Sequence, residues 1–499
     1  MSATLSRMGL PPVRRDPGLD VVREKIANGQ RLTLAEGDLL FTTPDIWTVI
    51  ELADQVRRRL HGNAAYYNVN RHLNYSNVCA LSCKFCEFYR KAGEDGAYTR
   101  DMDYVRQEAR KAVEAGATEV HSVGGLHPTL PFSYYTDLIS TIRDEATRLG
   151  SDLHVKAFTA VEIVHLARIA KVYKGASAPG EEGRQARRGA IRHVLSALKA
   201  AGLGSLPGGG AEVFDDRVHD EAYKGKIRSD VWLDVHRVAH ELDLNTNATM
   251  LYGHIETRHD RLVHMDMLRR AQDEALARLG YAGVDGEGTG DWALGTGEEA
   301  EGHLGYVASH LARVPAITLT RPGTPLPEHV AFTNAEARMP NAGPSPQSQV
   351  PSASGPRGYY QTIIPLPFFP DGCDLEHLPG PSGLENYRTI AVARLMLDNF
   401  PHVKAFWIMQ TLPMTQVMLQ SGADDVDGTV VWYDITKLNH AGQDGGEVKT
   451  HQEVTPATLQ RLIRDAGFEP IERDTLYRRV VREGNKWRVA AAVASSNRR

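Results

Sequence analysis

From Tyr66 onward, short apolar runs alternate with amphipathic helical patterns, and this alternation restricts the fold more than any other feature of the chain. Candidate strands are Tyr66–His72, Glu119–Gly124, Leu153–Phe158, Gly204–Leu206, Asn245–Leu251, Gln361–Pro365, Val403–Met409 and Gly428–Tyr433. Helical spacing intervenes at Met102–Ala115, Phe132–Leu149, Arg187–Ala201, Asp230–Leu242 and Glu385–Asn399. A helix between successive strands returns the chain to the same edge, so the sheet is parallel. Polar and glycine-rich clusters follow nearly every strand rather than one switch point. The pattern therefore predicts a closed α/β barrel of the (β/α)8 TIM type instead of an open doubly wound sheet.

The predicted organisation is an N-terminal helical segment over 1–65, a barrel over 66–440 and a C-terminal helix and tail over 441–499. In the first segment Val21–Ala27 and Pro44–Leu60 show helical spacing, with Thr43 as the expected N-cap. Two stretches break the rhythm, 175–189 and 282–358. Rich in Gly, Ser, Pro and Glu, they bury too little apolar surface to offset their ordering entropy. Their place between a helix and the next strand predicts surface insertions away from the C-terminal face, with a short helix over His303–Ala312.

Composition narrows the class. A net charge of −5 over 499 residues, without a long basic block, gives no reason to expect nucleic acid. The N-terminal arginines are not followed by an apolar signal region, and no run of roughly 18 apolar residues occurs, so neither secretion nor a membrane span is predicted. The cytoplasm is the expected location. Oligomeric state is not legible. Of the four cysteines, Cys79, Cys83 and Cys86 lie within eight residues and Cys373 stands alone. A disulfide framework would scatter them, whereas clustered thiols point to metal.

The spacing of that cluster is C-x3-C-x2-C. Three thiolates on one loop can hold three corners of an iron–sulfur cubane and leave the fourth iron open. Structural zinc needs a fourth ligand, and neither His72 nor Cys373 has the spacing of a closed zinc site. A ferredoxin would use four cysteines. The loop follows the first predicted strand and has Phe85 before its last cysteine, and in this it resembles the radical S-adenosylmethionine (SAM) superfamily. The resemblance implies a [4Fe-4S] cluster whose open iron is chelated by SAM, with Phe85 near the adenine. SAM cleavage then yields a 5′-deoxyadenosyl radical.

Further blocks end the later strands. Gly124-Gly125, in VGGLHP, let backbone come close to a ligand with no Cβ in the way. By resemblance, their carbonyls bind the methionine amino group. Leu206-Pro207-Gly208-Gly209-Gly210-Ala211-Glu212 places Glu212 where superfamily members hold the SAM ribose. Strand five leads into NATMLYGHIET, which adds Gly253 to the cofactor set and His254 and Glu256 as acid–base or substrate-binding groups. Arg71, His72 and Lys156 near strand ends suit a dianionic substrate. Each has a plainer reading, Arg71 as a salt-bridge partner at the barrel mouth and Lys156 as a solvated strand residue.

Together NVNRHLNYSNVCALSCKFC, VGGLHP, KAFTAVEI, SLPGGGAEVF, NATMLYGHIET, TIAVARLMLDNFPHVKAFW and GADDVDGTVV are similar to the aminofutalosine (aminodeoxyfutalosine) synthase family of the futalosine route to menaquinone. The resemblance runs from about Tyr66 to Tyr477. Cyclic dehypoxanthinyl futalosine synthase shares the cysteine loop but has Pro-Pro-Glu where this chain has Thr159-Ala160-Val161-Glu162. The family's usual strand-six histidine is absent from Leu366-Pro367-Phe368-Phe369-Pro370. The resemblance implies radical addition to 3-[(1-carboxyvinyl)oxy]benzoate with SAM as cosubstrate, and an electron donor such as flavodoxin or ferredoxin.

Overall fold

The computed structural model describes residues 15–283, 314–327, 358–429, 439–441, 447–449 and 453–490. Three helices lead: α1 (Leu19–Asn28), α2 (Leu34–Thr42) and α3 (Ile46–His61). The cap of α3 is Asp45, not Thr43. Asp45 accepts from the Thr48 N–H at 3.1 Å, while Thr43 Oγ1 accepts from the Asp45 N–H and donates to Asp16 at 2.7 Å. The helical segment lies against the helices flanking the later strands. Arg258 and Arg388 donate to the Phe41 and Leu40 carbonyls at 2.9 and 2.8 Å, satisfying acceptors at the end of α2.

The barrel follows as β1 (Ala64–Asn68), β2 (Asn70–His72), α4 (Met102–Glu114), β3 (Glu119–Ser122), α5 (Phe132–Arg148), β4 (His154–Ala157), α6 (Ala160–Ile169), α7 (Gly180–Ala201), β5 (Ser205–Leu206), α8 (Asp216–Ala222), α9 (Ser229–Glu241), β6 (Asn245–Tyr252), α10 (Arg258–Arg278), β7 (Tyr360–Pro367), α11 (Gly383–Met396), β8 (His402–Val403), α12 (Trp407–Gln410), α13 (Leu412–Leu419) and β9 (Asp425–Gly428). Strands β2 to β8 form one parallel sheet in chain order. A parallel bridge, Lys404–Asp425, joins β8 to β9, and β9 pairs with β1, which runs directly into β2. The ring predicted from the strand–helix rhythm is thereby completed. Two strands differ from expectation. The seventh predicted strand, β8, is only His402–Val403 because the chain turns into α12 at Trp407, whose Nε1 donates to Gly428 O at 2.8 Å. The last begins at Asp425, earlier than Gly428, and 430–433 lie outside the described residues.

The C-terminal region is part of this wall. After the hairpin β10 (Asn439–Ala441) and β11 (Glu447–Lys449) come α14 (Pro456–Asp465), β12 (Glu469–Glu472), β13 (Val480–Glu483) and β14 (Lys486–Val489). Strand β12 pairs in parallel with β1, on the side opposite β9.

Alternation along the strands sorts side chains between two environments. Val69, Leu73, Val120, Val155, Ala248 and Met250 face the helices in the main apolar core. A fully buried side chain of this kind contributes about 1.5–3 kcal/mol. The opposite face is polar: the register row His72, His121, Lys156 crosses the barrel, with Lys156–Glu119 at 2.7 Å, Lys404–Asp427 at 2.5 Å and Arg473–Asp425 at 2.6 Å.

Both predicted insertions contain ordered structure. Helix α7 begins at Gly180, within the first, because Arg187 pairs with Asp234 at 2.5 Å and Asp230 at 3.1 Å on α9. In the second, residues 314–327 pack at the N-terminal face. Ile317, Leu319 and Leu326 are buried against Leu276, and Arg31 bridges Asp273, Asp398 and the Ile317 carbonyl. The stretch His303–Ala312 lies outside the described residues. Among the described residues no helix is long and apolar enough to cross a membrane.

Candidate active site

The chain leaves β2 through Leu73–Val78 and enters the cysteine loop at the C-terminal mouth. Its anchors are mostly backbone. The Cys79 N–H donates to Arg90 O at 3.0 Å, Ala80 N–H to Leu126 O at 2.9 Å, and Lys84 N–H to Ala222 O at 3.0 Å. Asp374 N–H reaches Lys84 O at 2.8 Å and brings the Cys373 loop over the motif. Lys91 Nζ gathers the carbonyls of Cys79 and Leu81 at 3.2 and 2.9 Å, fixing the loop's curvature. These bonds leave the sulfurs available. Cys79 Sγ accepts from the Leu81 and Leu126 N–H groups, both at 3.4 Å, and Cys86 Sγ receives the backbone N–H groups of Tyr89 and Phe88. At Cys86 burial outweighs these donors and holds the thiol above its ordinary value. Burial pushes the Cys83 thiol up to about 11, opposed by the Lys226 charge, so a metal bound there would be what ionises it.

The donor set fits a cluster better than a single ion. With Zn–S bonds of about 2.3 Å, two sulfurs on one zinc are at most about 4.6 Å apart. Among the described residues, the only trio of potential ligand atoms all within 4.8 Å of one another is His61, His402 and Asp424, so the three thiols are spread more widely.

At the end of β3, Gly124 and Gly125 make room for the chain itself. A Cβ on Gly124 would lie 2.7 Å from Ser76 O and from the Tyr75 ring, and one on Gly125 would lie 2.3 Å from Val78 O. The expectation that a ligand requires these glycines is thus revised: they let the turn press against the residues leading to Cys79. Glu162 braces the turn. It caps α6 through Thr159 N–H at 2.8 Å and also receives Gly124 N–H at 3.1 Å and the Tyr75 hydroxyl at 2.8 Å. Burial raises its carboxyl to about 6, against these hydrogen bonds. The Thr-x-x-Glu capping box was a visible signal for this residue.

The glycine triplet is also largely a packing device. Gly208 abuts the Ala248 backbone, where a Cβ would stand 2.5 Å from its carbonyl carbon, and Gly210 adopts φ +94 beside Val161. Glu212 has φ 51, an uncommon left-handed conformation for a side-chain-bearing residue, and its carboxylate pairs with Lys226. Lys226 Nζ stands 4.8 Å from the Phe85 ring centroid, and Phe85 meets Tyr223 edge-on at 6.0 Å. No motif pointed to Lys226.

The expected acid–base and substrate groups are engaged elsewhere. Arg71 shares the outer face of its strand with Val69 and Leu73 and donates to Glu108 of α4 at 2.8 Å, so it belongs to the helix layer. Lys156 is buried in its ion pair with Glu119 and is not a solvated residue. Burial lowers His72 to about 4, leaving it neutral at pH 7. Glu256 accepts from the Gly253 and His254 N–H groups at 2.6 and 2.9 Å and from Arg261 at 2.8 Å, which occupies both carboxylate oxygens. His254 hydrogen-bonds Leu251 O at 3.1 Å, and burial keeps it below its ordinary value despite Glu256. Gly253, at φ +91, packs on Pro381, where a Cβ would meet Cδ at 2.6 Å. The strand-five block is a folded turn that places the start of α10.

The Radical SAM superfamily profile matches residues 73–268, which hold the cysteine loop and both glycine turns, and the CofH/MqnC C-terminal region profile matches 357–484. The aminodeoxyfutalosine synthase of Thermus thermophilus is 35% identical over 93% of this chain and 97% of its own length. That of Streptomyces coelicolor is 33% identical, over 91% and 92%. This chain belongs to the aminodeoxyfutalosine synthase family of radical SAM enzymes. It is an enzyme that uses a [4Fe-4S] cluster and SAM, and Cys79, Cys83 and Cys86 fit the cluster motif. A 5-amino-6-(D-ribitylamino)uracil–L-tyrosine 4-hydroxyphenyl transferase of Methanopyrus kandleri is 29% identical over 91% of this chain and 93% of its own. Among solved structures, the hydrogenase maturase HydG aligns with TM-score 0.55 at 16% identity, over 92% of this chain and 76% of that one. Methylornithine synthase aligns with TM-score 0.52 at 14% identity, over 90% and 96%. These two likenesses speak to the barrel fold alone.

Proposed function

We propose that this enzyme adds the 5′-deoxyadenosyl radical derived from SAM to the enolpyruvyl double bond of 3-[(1-carboxyvinyl)oxy]benzoate, with rearrangement onto the ring and loss of one carboxylate, to give 6-amino-6-deoxyfutalosine and methionine in menaquinone biosynthesis. The observation that carries the reading is the end-to-end relationship to the two synthases. Cys79, Cys83 and Cys86 hold the cluster, which when bound supplies the electron that cleaves SAM. The backbone of Gly124 and Gly125, braced by Glu162, and the Glu212 carboxylate line the SAM side of the mouth, with Phe85 beside the adenine. Glu256 and His254 act by shaping the turn before α10, since both carboxylate oxygens of Glu256 and the Nε2 of His254 are already hydrogen-bonded there. Lys156, Arg71 and His72 do not bind the substrate carboxylates in this reading. A one-electron carrier such as flavodoxin or ferredoxin is the expected donor.

Product analysis tests it. The reconstituted enzyme, given SAM, reductant and the enolpyruvyl benzoate, should form a nucleoside carrying both adenine and the benzoate by mass spectrometry. Free 5′-deoxyadenosine as the main product would replace addition with hydrogen abstraction, the chemistry of the cyclic dehypoxanthinyl futalosine synthase alternative.

A further inference from the structure

Lys226 lies on the turn after α8 and is tied there by its own backbone. Its N–H donates to Tyr223 O at 3.1 Å, and its carbonyl pairs with His219 Nε2 at 3.1 Å. The ammonium lies beside two rings that meet edge-on, 4.8 Å from the centroid of Phe85 and 5.9 Å from that of Tyr223. Phe85 sits between Cys83 and Cys86 in sequence, and the backbone of α8 holds the same loop through Ala222 O. The ammonium is therefore pinned against the cysteine loop. Burial works against its charge, but the Glu212 carboxylate outweighs burial and keeps it protonated. A charge fixed in such surroundings is weakly screened. Cluster potentials respond to nearby charge.

We propose that Lys226 is a positioning residue for the electron-transfer step: its fixed positive charge raises the reduction potential of the cluster on Cys79, Cys83 and Cys86, and Glu212 is the counter-charge that limits the rise. The electron comes from the external donor and no bond is made or broken. The inference depends on the cluster and not on the substrate, so its failure is separable from failure of the proposed reaction.

The test is a redox titration of the anaerobically reconstituted enzyme without SAM or substrate, following the reduced cluster by electron paramagnetic resonance. Lys226→Met should retain iron but show an about tenfold lower reduced-to-oxidised ratio at a fixed potential, which is ~59 mV for a one-electron couple. Lys226→Arg should restore the parent value, and Glu212→Gln should move the midpoint the other way. Should Lys226→Met lose iron, Lys226→Met/Glu212→Gln removes both charges, and its midpoint should lie below that of Glu212→Gln alone. Unmoved midpoints in iron-replete variants, shifts of the same sign for Lys226→Met and Glu212→Gln, or a double variant equal to Glu212→Gln would overturn the proposal.

Discussion

The mouth of the barrel and its floor are built from the same staves but held by different forces. At the mouth, the cysteine loop is tied by backbone hydrogen bonds and by glycines pressed against neighbouring main chain. At the floor, side-chain ions from distant segments converge on Asp424, which accepts from Arg394, from His402 Nδ1 at 2.5 Å and from Val403 N–H at 2.8 Å. His402 in turn stacks on Tyr477 with ring centroids 3.6 Å apart. Backbone anchoring leaves side chains free to receive a ligand, whereas ionic anchoring consumes them. The trio His61, His402 and Asp424 shows the consequence. Its spacing would suit a metal, but Arg394 shares the carboxylate, and His61 Nε2 donates to Pro401 O at 2.8 Å. It is a structural brace.

The sharpest break of this contrast comes from the cysteines. Replacing Cys79, Cys83 or Cys86 by alanine should abolish SAM cleavage and strip most of the iron while leaving the circular dichroism spectrum unchanged. Cys373→Ala, whose thiol donates to Pro370 O and accepts from the Leu375 N–H, should keep its iron. Iron retained in a Cys79 variant and lost in the Cys373 variant would reverse the ligand assignment.

The floor should fail the opposite way. Asp424→Asn leaves buried Arg394 without its counter-charge, a loss on the order of 3–5 kcal/mol, read from chemical denaturation. Burial opposes ionisation of Asp424, but His61, His402 and Arg394 outweigh it and hold its carboxyl far below the ordinary 3.8. A depressed folded value means this stabilisation is complete above about pH 4 and is lost as the pH falls further. The Asn variant should therefore lose less stability on acidification. Equal acid sensitivity in parent and variant would count against the brace.

Gly125→Val joins the two regions of the comparison. A branched side chain must displace Val78, next to Cys79, so iron content should fall together with SAM affinity, and stability should drop by about 1–3 kcal/mol. Full iron with weakened SAM binding alone would mean that the glycine faces ligand rather than chain.

The smallest effect is expected at Glu162. Its carboxyl is raised from 4.5 to about 6, so the folded state binds this proton more tightly than the unfolded state. Its contribution is complete below about pH 4.5 and declines as the pH rises through 6, by about 2 kcal/mol in all. Glu162→Gln should flatten stability across that window. An unchanged slope would place the titration on another group.

Much of this was legible from residue order. The eight-stave rhythm, the C-x3-C-x2-C loop and the capping box of Thr159 and Glu162 are local patterns with local causes. Even the error at Arg71 was avoidable, since Val69, Arg71 and Leu73 alternate onto one face and that face is apolar. The error at Glu256 was not, because Arg261 and Glu385 complete its ion-pair network from two different helices.

What the sequence alone determined is therefore whatever depends on neighbours along the chain: the barrel class, the metal chemistry and the family. Only the tertiary structure decided which polar residues were spent on one another. Lys156 meets Glu119, Lys226 meets Glu212, and Arg473 meets Asp425 across strands and turns. The physical reason is that a buried charge needs a partner in space. Burial and pairing are set when strands distant in sequence close into a ring, and residue order does not announce which two ions will face each other there.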